Sequence, residues 1–210
     1  MVGYQIVSSR CTRNSLVTNR TKAATDKASI AESLPLNADE RARAIETAVI
    51  PTIMSGTQWT WPSNSALNAL TSAIVRAIWG RRRELRATEI VLAVLHEAHR
   101  HHPLWAMIYR TFCDARRYLR KHPDNYAQAI RILHHITTNP RSSNITGPIT
   151  TLIRGANELG GRLTNDPDRG GLIIELPDYF YFPLHDSDSG KDWQQDLQYW
   201  IYRACVANLQ

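Results

Sequence analysis

Along most of this chain apolar residues recur at intervals of three and four, the spacing that gathers them on one side of an α-helix. A polar, alanine-containing segment from Arg13 to Ser33 ends before Pro35 and reads as a first helix stopping near Leu34. Asn37 or Asp39 caps a second helix with Ile45, Ala48, Val49 and Ile53 on its stripe, and Pro51 kinks its end. Ser63 caps a third, in which Leu67, Leu70, Ile74, Ala77 and Ile78 face inward, Asn64, Asn68, Ser72 and Arg76 face outward, and Gly80 closes the run. A short apolar helix from Thr88 to Leu95 is hydrophobic nearly all round. The next starts at Pro103, with Leu104, Ile108, Phe112, Ala115 and Leu119 as its core stripe. Pro123 opens another through Ala127, Ile130 and Leu133, fading into a polar loop from Thr137 to Asn144.

Gly147-Pro148 begins a helix with Ile149, Leu152, Ile153, Ala156 and Leu159 inward, ended by Gly160-Gly161. There the period changes. The runs 172–176 and 179–182 are β-branched or aromatic and bounded by Gly or Pro, so they read as a small strand pair. Ser189 and Asp192 resemble a capping box for a closing helix with Trp193, Leu197, Trp200, Ile201 and Ala204 on its docking face. The fold class is therefore mainly α, with a small C-terminal β-hairpin and a closing helix.

In 210 residues, 43% hydrophobic and 21% charged residues exclude general disorder and suit one domain or a closely packed pair. No apolar stretch has the length of a membrane span, and Met1 to Arg13 does not read as a signal peptide. The expectation is a soluble, intracellular chain. Cys11, Cys113 and Cys205, odd in number and widely spaced, read as reduced thiols in structural positions.

The net charge of +6 is unevenly placed: residues 1–164 hold 22 Lys/Arg against 11 Asp/Glu, while residues 165–210 hold 3 against 8. Arg76, Arg81, Arg82, Arg83, Arg86, Arg110, Arg116, Arg117, Arg120 and Lys121 form the candidate nucleic-acid-binding set. Guanidinium suits phosphate because it stays charged and donates two hydrogen bonds at fixed spacing. Arg110, Arg117 and Lys121 are spaced seven and four, which places them on one helix face. The bland alternative is a solvated basic surface, with Arg81–Arg86 complementing the dipole at a helix C-terminus.

Catalytic signals are thin. His96, His99, His101 and His102 cluster around Glu97, but the second histidine falls at i+3 rather than the i+4 of zinc hydrolases, and no Cys or carboxylate pair supplies further ligands. Polar residues at a helix junction explain the cluster better than a metal site. There is no nucleophile-elbow, Walker or dinucleotide-binding motif, and no adjacent Asp-Asp pair to hold two metal ions.

The segment Arg43 to Trp59, an apolar helix running into Val-Ile-Pro and a turn ending in Trp, resembles the region that follows the polymerase palm in non-LTR retrotransposon reverse transcriptases. Leu67 to Gly80 is similar to their thumb helix ending in Leu-Trp-Gly, here Ala77-Ile-Trp-Gly80. Segments at 89–95, 99–103, 109–119, 147–160 and 193–203 resemble a downstream region common in retroelement-derived proteins of protists. Ser55 stands where that family usually has Tyr, and Gln58 where it often has an acid.

The resemblance implies a thumb-like multi-helix bundle and C-terminal extension of an RNA-directed DNA polymerase. Residues 1–62 would be a palm-edge remnant with entry helices, 63–143 the basic bundle, and 144–210 a helix-β-helix extension. Such a part grips an RNA-DNA hybrid or duplex DNA by its backbone. The palm carboxylates and their divalent metal would lie before residue 1, in a palm domain of a longer polypeptide, leaving this chain without a cofactor or catalytic residues of its own. The rival expectation is a helical protein-interaction module, such as a domesticated retroelement fragment, whose basic face is incidental.

Overall fold

Asn37 accepts a hydrogen bond from the Glu40 backbone while the Glu40 carboxylate accepts one from the Asn37 backbone, each at 2.9 Å, so the second helix begins in a reciprocal capping box. The computed structural model describes residues 15–56, 60–80, 91, 98–139, 147–169, 171–185 and 190–207. Over these it is mainly helical, with one small antiparallel sheet and a closing C-terminal helix. The chain divides into two compact units, Met1–Thr57 with Trp61–Met107 and Cys205–Gln210, and Gln58–Thr60 with Ile108–Ala204. The changeover between Met107 and Ile108 falls inside a helix that the sequence places wholly within the 63–143 segment.

In the first unit, α1 (Ser15–Ser33) buries Thr21, Ala24, Ala28 and Ala31, a stripe of small residues that lets it pack against α4 (Asn64–Trp79). The capped α2 (Ala38–Ala44) runs into a π-turn at Ile45–Val49 and then α3 (Ile50–Met54). Pro51 accounts for this. It has no N–H for Thr47, and its ring would crowd that carbonyl, so the turn before it widens by one residue. The extra residue rotates the stripe, leaving Ala48 exposed and Ile50 buried beside Ile45, Val49 and Ile53. Helix α4 follows the sequence closely: the Ser63 hydroxyl accepts from the Ala66 N–H, all five expected core residues are buried, and Gly80 ends it at φ 102°.

Of the helix expected at 88–95, only Val91 is described, and it is buried. After α5 (Ala98–His101) comes α6 (Pro103–Lys121), to which His102 contributes an unforeseen cap. Its Nδ1 accepts the Leu104 N–H at 3.2 Å, satisfying an orphan donor of the first turn.

The second unit takes α6 from Ile108 onward, α7 (Tyr126–Thr138), α8 (Pro148–Glu158), the sheet and α9 (Gly190–Ala207) up to Ala204. On α7 the buried residues are Ala129 and Leu133, while Ala127 is exposed. The expected hairpin is a three-stranded meander: β1 (Arg162–Asp166), β2 (Gly171–Glu175) and β3 (Tyr181–Pro183). Leu163 faces Ile174 across the first pair and Phe182 faces Ile174 across the second. Residues 171–174 of β2 are all buried, so the sheet has cover on both faces.

Gly171 joins this sheet to α7. It sits at φ 83° with the Tyr126 hydroxyl where a Cβ would be, and that hydroxyl accepts the Leu172 N–H. Helix α9 docks through an aromatic cluster: Trp193 lies edge-on to Phe182 and donates to the Pro183 carbonyl at 3.1 Å, while Trp200 packs near Phe180. The Ser189 cap lies outside the described residues.

Candidate nucleic-acid interface

Helix α6 is set in the second unit by Ile108, Phe112 and Leu119, all buried. Its outward face then follows from the helical period. Arg110, Arg117, Arg120 and Lys121 are exposed, the Arg110 and Arg117 side chains by 53% and 68%. Three of them, Arg110, Arg117 and Lys121, keep the shared line that their spacing requires. A fourth residue on that line is Asp114, whose carboxylate accepts from Arg110 at 2.9 Å and Arg117 at 3.4 Å. The stripe is therefore three cations around one acid. Surface pairs of this kind are worth about 0–1 kcal/mol, so a phosphate can compete for the same guanidinium groups.

Arg116 leaves the candidate set as a phosphate ligand. It is 5% exposed and its guanidinium lies 4.8 Å from the centre of the Trp193 ring, a cation–π contact that pins α6 to α9. The physical reason is its angle: four residues after Phe112 and three before Leu119, it points with the core rather than with Arg117. The Gln198 amide, donating to the Tyr109 hydroxyl at 3.2 Å, reinforces the same joint.

In the first unit, Arg76 is an interhelix tie. Its Nε donates to Glu32 at 2.7 Å, and the Glu32 side chain is only 8% exposed. Arg81, Arg82, Arg83 and Arg86 lie outside the described residues. The structure thus brings together Arg110, Arg117, Arg120 and Lys121 on one helix, and it gives Arg76 and Arg116 internal partners.

Of the histidine cluster, the side chains of His101 and His102 are described. His101 is buried, and burial holds His102 down to about 4, so its ring stays neutral and keeps Nδ1 free to accept. Among the described residues no three His, Cys, Asp or Glu side chains converge as metal ligands. His96 and the side chain of His99 lie outside them. Cys205 is buried, and burial pushes the Cys113 thiol up to about 11, far from the thiolate a nucleophile needs. An open groove of about 510 Å³ beside Gly160–Arg162 and Glu175–Asp178 has its charges already matched, Arg162 to Glu175 at 2.8 Å and Asp178 to Arg203 at 2.9 Å. No described helix is long and apolar enough to cross a membrane.

No protein-family model matches this sequence, and no curated protein or solved structure is significantly similar to it.

Proposed function

We propose that the chain is a non-catalytic nucleic-acid-binding part, a template-primer grip of a retrotransposon RNA-directed DNA polymerase, and that it holds the backbone of an RNA-DNA hybrid or duplex DNA along α6. One observation carries the binding reading: Arg110, Arg117 and Lys121 stand exposed in a row on a helix whose opposite face is anchored in the core. From residue 110 to 121 the helix rises about 16 Å, a length over which one strand of a duplex presents about five phosphates. Contacts of this kind are indifferent to base sequence. The polymerase attribution rests on the sequence resemblance at 43–80 and downstream, and a divalent metal belongs to the palm that such a polymerase would carry.

Asp114 supplies the test. Asp114→Asn releases two guanidinium groups and removes a charge that repels phosphate, so it is expected to tighten binding to any duplex several-fold. A neutral or weakening effect counts against the stripe as the phosphate-binding surface.

The rival protein-interaction reading draws support from Ile30 and Leu34, one turn apart on and just beyond α1, and Trp79, which are exposed by 60%, 39% and 44%. It predicts a partner whose binding is lost on changing these residues and is insensitive to Arg110, Arg117 and Lys121.

A further inference from the structure

The last turn of α6 presents an aromatic ring among its cations. Tyr118 is 53% exposed, follows Arg117 directly and lies one turn before Lys121 and His122. The ring is held in place: its hydroxyl accepts from the Asn125 amide at 2.8 Å, and the His122 ring lies 4.9 Å away, tilted by 44°. Other exposed tyrosines of this unit stand in different surroundings. Arg169 covers Tyr181 at 5.5 Å, and Arg203, one turn after Tyr199, is paired with Asp178 at 2.9 Å; the acid one turn before Tyr118, Asp114, is itself paired with Arg110 and Arg117.

A fixed, half-exposed ring flanked by cations is the arrangement that binds unpaired nucleotides, the ring stacking on a base while the cations meet the phosphates on either side. In a duplex the bases are stacked on each other and their faces are not available to it.

We propose that Tyr118, backed by His122 and flanked by Arg117 and Lys121, is a stacking site for an unpaired base, so that the end of α6 takes the single-stranded nucleic acid emerging from a duplex held on the stripe. This rests on the nucleic-acid reading above and names the part of the substrate that the end of the helix receives. Asn125 fixes the ring edge, which lowers the entropy lost on stacking.

The test compares a short DNA duplex, blunt or carrying a single-stranded extension of about eight nucleotides, by fluorescence anisotropy at fixed salt. The unaltered protein is expected to bind the extended duplex about tenfold more tightly, the weight of one stacked base. Tyr118→Ala and Tyr118→Leu are expected to bring both duplexes to the same affinity while leaving blunt-duplex binding and its salt slope unchanged. Tyr118→Phe keeps the ring face and should keep the preference. Circular dichroism and melting temperature check the fold, and the leucine variant preserves apolar bulk if the alanine variant does not fold. A protein that binds both duplexes with a steep salt slope but shows no preference, or keeps its preference in Tyr118→Leu, overturns the stacking site and leaves the grip intact. Absence of salt-dependent binding to either duplex overturns both.

Discussion

Described cations of the first unit and those of the α6 stripe in the second are used differently. In the first, several described cations tie one segment to another: Arg20 donates to the Ser55 carbonyl, the exposed Lys27 to the Thr52 hydroxyl at 2.8 Å, and Arg41 to the carbonyls of Leu34 and Ala77 at the ends of two helices. Arg76 meets Glu32, and Arg100 meets Glu46 at 3.4 Å. These helices share small or modest apolar faces, and long basic side chains bridge their ends and flanks, where C-terminal carbonyls favour a cation. In the second unit a sheet, Phe182, Trp193 and Trp200 supply the cohesion, and the arginines and lysine of α6 other than Arg116 point to solvent. Basic composition therefore says little by itself. What distinguishes a ligand surface is whether the cations already have buried partners.

That contrast fixes the size of several effects. The largest belongs to the sheet: in Gly171→Ala the new Cβ coincides with the Tyr126 hydroxyl and the backbone stays at positive φ, so the second unit should lose about 3 kcal/mol or more. A urea midpoint near that of the unaltered protein would show that the Tyr126–Leu172 joint contributes little.

Acid should act on the other unit. The folded His102 pKa of about 4 lies below its unfolded value of 6.5, so between these pH values the unfolded chain binds more protons. Its contribution is complete above about pH 6.5 and is lost as pH falls towards 4, reaching about 3 kcal/mol in full. His102→Asn retains a side-chain acceptor for the Leu104 N–H and should flatten this part of the pH–stability curve. An unchanged curve would mean that His102 is readily protonated in the folded protein.

A smaller effect separates the two uses of arginine directly. Arg76→Gln takes the Arg76 guanidinium from a largely buried Glu32 and should cost about 2 kcal/mol, whereas Arg117→Gln, on an exposed pair, should cost less than about 0.5 kcal/mol. Similar losses in the two variants, read from chemical denaturation, would erase the distinction.

Much of this is legible in the sequence where local chemistry decides. Ser63 announces its cap, Asn37 is one of two caps the sequence offers for α2, and the five residues expected on the α4 stripe are buried, with Thr71, Ala73 and Val75 buried beside them and Arg76 tied to Glu32 rather than facing outward. The π-turn is not, because Pro51 signals only that a regular turn cannot continue, and the position of the widened turn depends on packing. Strand β1 escapes the pattern because Leu163 is its one buried residue, leaving no apolar alternation to see. Within the candidate interface the spacing of Arg110, Arg117 and Lys121 is visible, and so, in principle, are Asp114 between them and the core-facing angle of Arg116. Grouping cations by sequence density conceals both. The His102 cap is hidden because imidazole is not among the usual capping side chains.

The measurement that bears most directly on the central claim is the salt dependence of duplex binding in the unaltered protein and in the triple variant Arg110→Gln, Arg117→Gln, Lys121→Gln. Each phosphate that the protein no longer neutralises should take about 0.9 off the slope of log K against log salt. The triple variant should keep its fold and melting temperature, bind all duplexes more weakly without regard to sequence, and show a slope flatter by about 2 to 3 units. Binding and slope unchanged in the triple variant, or no binding by the unaltered protein at low salt, would contradict the account and leave the exposed Ile30, Leu34 and Trp79 as the better guide to what this chain meets.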